Sequence, residues 1–160
     1  MQNFNKTMTV NMGAEKLLNL ITDASFENEK NKRVNKSLDS QVKEIERTDS
    51  SFHFNVTTTD YERGITGVNK KKTEQTLYAY KWDLKTRSAT WHMTHPMGSK
   101  VNINGTVKII DKGERSELQN SMSIEIKIPL VGGKVEKMIV SEIESGWGAY
   151  EAIINEYAAK

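Results

Sequence analysis

There is no cysteine in this chain, and proline occurs only twice. Without thiols there is no disulfide, no thiolate metal site, no iron–sulfur cluster and no cysteine nucleophile. Long hydrophobic runs are missing too. No stretch approaches the ~18 apolar residues of a membrane-spanning helix. The first ten residues, MQNFNKTMTV, lack the ~7–15-residue apolar centre of an export signal, so the default expectation is a cytoplasmic protein. The Asn-X-Ser/Thr triplets at Asn5, Asn35, Asn55 and Asn104 are then accidents of composition. Neither sign of charge dominates: 23 Lys and Arg stand against 21 Asp and Glu, for a net charge of +2. That balance argues against a dedicated nucleic-acid binder. No GxSxG elbow, phosphate-cradling loop, dinucleotide fingerprint or HExxH pair is present. Three histidines at scattered strand positions do not make a metal site, and no cofactor is implied.

Apolar residues are scarce, at 36% of 160 residues. They must be used on one face of each element, which favours half-exposed antiparallel strands over doubly covered parallel ones. The length fits one domain over residues 1–160. Residues 2–10 alternate, with Phe4, Met8 and Val10 on one side, and read as a strand. Leu17, Leu18, Leu20 and Ile21 then form a stripe at helical spacing. Asp23 can cap a second short helix carrying Phe26, polar enough to lie exposed or at an edge.

From 38 to 128 the period becomes two. Segment 38–47 slips parity between Val42 and Ile45, as a bulge allows. Segment 51–61 sets Phe52, Phe54, Val56, Thr58 and Asp60 on one face. Residues 62–72, with two glycines and Lys70-Lys71-Lys72, read as a longer loop or ragged hairpin end. Segment 74–85 groups Tyr78, Tyr80, Trp82 and Leu84, and segment 88–95 groups Ala89, Trp91, Met93 and His95. Segments 100–110 and 118–128 follow around a turn at 111–114, the last with Leu118, Asn120, Met122, Ile124, Ile126 and Ile128 inward. Pro129 stops that strand, and Gly132-Gly133 permits a change of direction. From 134 to 157 the period returns to 3.6, with Ile139, Ile143, Gly146, Trp147, Tyr150, Ile153, Ile154 and Tyr157 on one arc. Glu136 interrupts the stripe, where a first-turn carboxylate would favour the helix dipole. Gly146 and Gly148 imply a close approach by a strand or a ligand, or a bend.

The expected class is α+β: a seven-stranded curved antiparallel sheet, two short helices after strand 1, and a long C-terminal helix across the dry face. This element order resembles the START-like, helix-grip (SRPBCC) superfamily that includes the birch-pollen allergen and polyketide cyclases. The run IPLVGGKVEKMIVSEI at 128–143 resembles the approach to the last helix in one of its families of unknown function. The resemblance implies a cavity between sheet and helix for a hydrophobic small molecule such as a lipid, sterol or polyketide. The candidate lining is Phe54, Tyr80, Trp82, Trp91, Met93, His95, Asn120, Met122, Ile139, Ile143, Trp147 and Tyr150, mostly aromatic or adaptable side chains with few polar groups. The same residues also suit an ordinary filled core.

Three functions follow. The first is non-enzymatic binding or transport of such a molecule. The second is a protein-interaction module with a collapsed cavity. The third is a cyclase- or dehydratase-type enzyme, for which His95 is the one candidate acid or base; no catalytic residue is assigned. Leu130 and Val131, beside Lys134 and Lys137, form by default a packed corner, or else a gate or a patch for transient membrane contact. Oligomeric state is not legible.

Overall fold

The computed structural model describes residues 1–64 and 67–160. Strand β1 (Gln2–Val10) leads into helices α1 (Ala14–Ile21) and α2 (Ala24–Arg33). Six strands follow: β2 (Asp39–Arg47), β3 (Ser51–Gly64), β4 (Gly67–Asp83), β5 (Ser88–Thr94), β6 (Val101–Lys112) and β7 (Arg115–Ile126). Helix α3 (Gly132–Ala158) closes the chain. The strands form one antiparallel sheet in the order β1-β7-β6-β5-β4-β3-β2. The meander runs from β2 to β7, and β1 joins it beside β7, with Phe4 opposite Met122 and Met8 opposite Leu118. The fold is therefore the α+β helix-grip arrangement. No helix among the described residues is long and apolar enough to cross a membrane.

Alternation in the sequence becomes burial in the sheet. Along β3, Phe52, Phe54, Val56 and Thr58 are buried while their neighbours are not, because successive side chains leave a strand on opposite faces. The parity slip in β2 is a bulge, with register shifting between Glu44 and Glu46 and Ile45 left exposed. Arg87 takes φ +53° to close the β4–β5 turn.

Of the two readings of residues 62–72, the structure has the ragged hairpin end rather than the longer loop. Strand β3 continues to Gly64 and β4 begins at Gly67, so Lys70, Lys71 and Lys72 lie exposed within a 17-residue strand. Ile65 and Thr66 lie outside the described residues. The β3–β4 register breaks here: Tyr61 pairs with Thr73 and Glu62 with Asn69, so Lys70, Lys71 and Lys72 bulge out of the ladder without a partner on β3. Strand β7 stops at Ile126 rather than 128, and α3 starts two residues early. Glu136 therefore sits beyond the first turn of α3. It is buried, and its Oε1 accepts the Ile126 N–H at 3.0 Å. Its Oε2 lies 3.1 Å from the Met1 ammonium. Helix α2 is likewise less exposed than its charge suggests: Phe26, Glu27 and Asn31 are buried where it packs over β2.

Candidate functional site

The inner face of the sheet carries two separate buried clusters. One gathers Val10, Leu17, Phe26, Phe54, Val56, Trp82, Leu118, Ile153 and Ile154 around α1, α2 and the end of α3. The other gathers Met93, Val101, Ile103, Ile124 and Ile126 near the start of α3. Tyr78 and Trp91 pack against both clusters, and neither is sealed from solvent. Around them stand further half-buried residues: Tyr80 on β4, Met122 on β7, and Ile139, Ile143, Trp147 and Tyr150 on α3. The helices come closest to β1, β2, β6 and β7. The inner faces of the middle strands are thus covered by side chains rather than by a helix backbone. Between two closed cores lies an aromatic belt that a water-sized sphere still reaches.

The belt is ordered by ring contacts. Tyr80 stacks on Phe54 at 5.0 Å and lies 6.1 Å from Trp91, which is 6.0 Å from Tyr78. On the helix side, Trp147 meets Phe4 at 6.0 Å and Tyr150 at 5.6 Å, both edge-on. Such pairs hold geometry as well as area. Gly105 sits directly across from Trp91. A Cβ there would fall 2.7 Å from the indole, so the glycine lets this ring lie flat over β6.

Polar groups enter the belt at named points. Removal from water pushes the Tyr78 hydroxyl up to about 12, with Asp60 and Glu27 adding to it. Burial also raises Tyr80 and Tyr150 well above the ordinary tyrosine value, with the Glu27 charge as the next cause. All three stay neutral hydrogen-bonding groups at physiological pH. Glu27 is itself buried; both of its carboxylate oxygens accept from Lys30 Nζ at 2.9 Å, and Oε1 also accepts from Asn31 Nδ2 at 3.3 Å. That ammonium stands 5.8 Å from the Tyr150 ring centroid. The Asn120 Nδ2 is buried and has no hydrogen-bond partner among the described residues, and the same holds for Trp82 Nε1. A buried donor left without a partner costs about 1–3 kcal/mol, so Asn120 is the inner-face group most in need of an acceptor.

The inward rows of β3 and β4 turn polar toward their hairpin. Thr58, Asp60, Glu74 and Thr76 succeed the aromatics, and Ser37 and Thr58 both donate to Asp60, at 2.7 and 2.9 Å. His95 lies just past the end of β5 and is half-buried. Its Nδ1 accepts the Met97 N–H at 3.1 Å. In the neutral ring this leaves the proton on Nε2, which faces Glu74 Oε1 at 3.3 Å. Arg63 on β3 pairs with Glu142 on α3 across this end.

Of the residues singled out from sequence, Phe54, Trp82 and Met93 lie in the closed cores. Tyr80, Trp91, Met122, Ile139, Ile143, Trp147 and Tyr150 line the open belt, Asn120 reaches it, and His95 stands at the polar end. Tyr78 shares the parity of Tyr80 and belongs with them. Glu27 and Lys30 had no signal beyond their three-residue spacing. Gly146 faces Val34 at the end of α2, 3.8 Å from where a Cβ would lie, rather than a strand. Two open clefts of about 610 and 290 Å³ lie on the outer face around Lys81 and Asp83. Their walls are mainly short polar and charged side chains such as Ser50, Lys85, Ser88 and Lys108, so they are gaps between solvated groups.

The arrangement is similar to solved structures across nearly the full chain. The Zhui aromatase/cyclase from Streptomyces sp. R1128 superposes with a TM-score of 0.66 at 11% identity, covering 99% of this chain and 93% of its own. A START superfamily protein from Mycobacterium smegmatis gives 0.57 at 17% identity, covering 97% and 98%. Ara h 8.0201 gives 0.59 at 13%, covering 96% and 97%. At these identities the likeness establishes the fold and not a shared activity. No curated protein sequence matches the chain. A family model described as protein of unknown function, DUF2505, matches residues 5–157, and with its START-like fold the chain belongs to that family.

Proposed function

We propose that this protein binds or carries a hydrophobic small molecule, of the lipid, sterol or polyketide-like class, between the inner face of the sheet and α3. The observation that carries the reading is the open aromatic belt between two closed cores. Large apolar side chains left accessible inside a fold forfeit the ~25 cal/mol per Å² that burial would return. A ligand that covers Tyr80, Trp91, Met122, Trp147 and Tyr150 recovers it. Neutral tyrosine hydroxyls and the Asn120 amide supply the few polar contacts such sites use for orientation. His95 has both ring nitrogens engaged, which favours binding over a cyclase or dehydratase reaction that needs its lone pair.

The test is native mass spectrometry of protein purified without denaturation, followed by titration with an environment-sensitive naphthalene dye. A retained small molecule, or saturable dye fluorescence that weakens about tenfold in Trp147→Ala, is the expected result, since an aromatic side chain contributes ~1.5–3 kcal/mol when covered. Neither a bound mass nor saturable dye uptake by a folded protein would overturn the reading.

A further inference from the structure

The end of the molecule where β7 hands over to α3 bears a surface that folding does not explain. Leu130 is fully exposed and holds its backbone at φ +70°, a left-handed conformation that disfavours leucine. Met97 is 44% exposed in the loop between β5 and β6. The two loops adjoin, because the Lys127 N–H donates to the Lys100 carbonyl at 2.7 Å. Segments 95–102 and 126–135 contain Lys100, Lys127 and Lys134, all exposed, and not one carboxylate. Of the acids beside these segments, Glu136 is buried on the Ile126 N–H, Glu74 faces His95 Nε2 at 3.3 Å and Glu125 stands 3.7 Å from Lys127, while Lys100 and Lys134 have no carboxylate partner among the described residues.

We propose that this end docks on an anionic lipid bilayer, with Leu130 and Met97 entering the headgroup layer and the lysines over acidic phospholipids. An exposed leucine on a tight turn gains from leaving water. Lysines within a Debye length of an acidic leaflet each add about 1 kcal/mol. Neither the apolar pair nor the charges suffice alone, and membrane attachment characteristically combines two such signals. A second copy of this chain fits poorly, because a two-fold contact would set the same lysines against one another. The proposal stands whether or not the belt carries a ligand.

Leu130→Asn separates docking from folding. Leu130 packs on nothing, and Asn accepts φ +70° more readily than Leu, so thermal stability holds or rises. Co-sedimentation with phosphatidylcholine vesicles containing about one-third phosphatidylserine should capture the parent, and neutral phosphatidylcholine vesicles should not. Leu130→Asn should weaken capture about tenfold, and Lys100→Ala or Lys134→Ala about fivefold each. Raising salt should release the protein. Absence of capture, equal capture by neutral vesicles, or capture indifferent to Leu130→Asn would overturn the proposal. So would self-association without vesicles that Leu130→Asn abolishes.

Discussion

Gly105 faces Trp91 across the β5–β6 pairing and shares its inner surface with Met122 of β7. Its missing side chain is what allows an indole to cover β6, in the manner of aromatic residues that shield strand glycines. Adding one methyl group would press on the Trp91 ring and on the Ser121 carbonyl, which is backbone and cannot swing aside. Gly105→Ala should therefore destabilise the protein by about 3 kcal/mol. Its Trp91 emission should shift as the ring is displaced. Chemical denaturation with tryptophan fluorescence reads both effects, and unchanged stability would mean that the strands part without cost. Asn120 shows the opposite logic at the same scale: a residue whose presence folding does not reward, since its amide nitrogen is buried without a partner.

Helix α3 is anchored at both ends by interactions that cross between elements. At its C-terminal end, Arg33 of α2 binds Glu156 at 2.8 Å, and Glu29 accepts from the Tyr157 hydroxyl. At its beginning, Glu136 receives the Ile126 N–H, tying the helix to the last residue of β7. That hydrogen bond is the main reason its carboxyl group lies below the ordinary value of 4.5, against the opposing effect of burial. A carboxylate with a depressed folded-state pKa contributes stability above its unfolded value and loses it as pH falls through the folded one. Glu136→Gln should thus cost about 1–2 kcal/mol at neutral pH. The gap between variant and parent should narrow below pH ~4.5. Urea denaturation at several pH values measures the gap; a constant gap would show that Glu136 is not held as a carboxylate.

Across the whole molecule, stability is unevenly distributed. Leu118 is fully buried in one closed core, whereas Met122, four residues along the same face of β7, is half-exposed beside the belt. Leu118→Ala should cost ~2–5 kcal/mol, as a truncation that leaves a cavity. Met122→Ala should cost less than half as much, because water or a ligand can occupy the space. Equal costs in denaturant titrations would mean that the belt is as closed as the cores. The gap follows from the architecture. Three helices cover strands at both edges of a seven-stranded inner face, but not its middle.

Much of this architecture is legible in the sequence. Period-two segments of β-branched and aromatic residues dictated the strands, and the 3.6-residue stripe from Ile139 to Tyr157 dictated the long helix. Sterics at each backbone unit enforce these periods whatever the neighbours are. The bulge at Ile45 was visible as a slip of parity for the same reason. Inward parity also assembled most of the belt. Alternation says which face a side chain takes, but not how closely the opposite layer approaches. Only packing separated Phe54 and Trp82, closed in the core, from Tyr80 and Trp91, left open beside it. Long-range packing carried β4 past the unpaired lysine bulge at 70–72, buried Glu27 where α2 lies over β2 and Glu136 against Ile126 and Met1, and left Leu130 outside. Each outcome depends on contacts between segments far apart in the chain, whose free energies no local pattern contains.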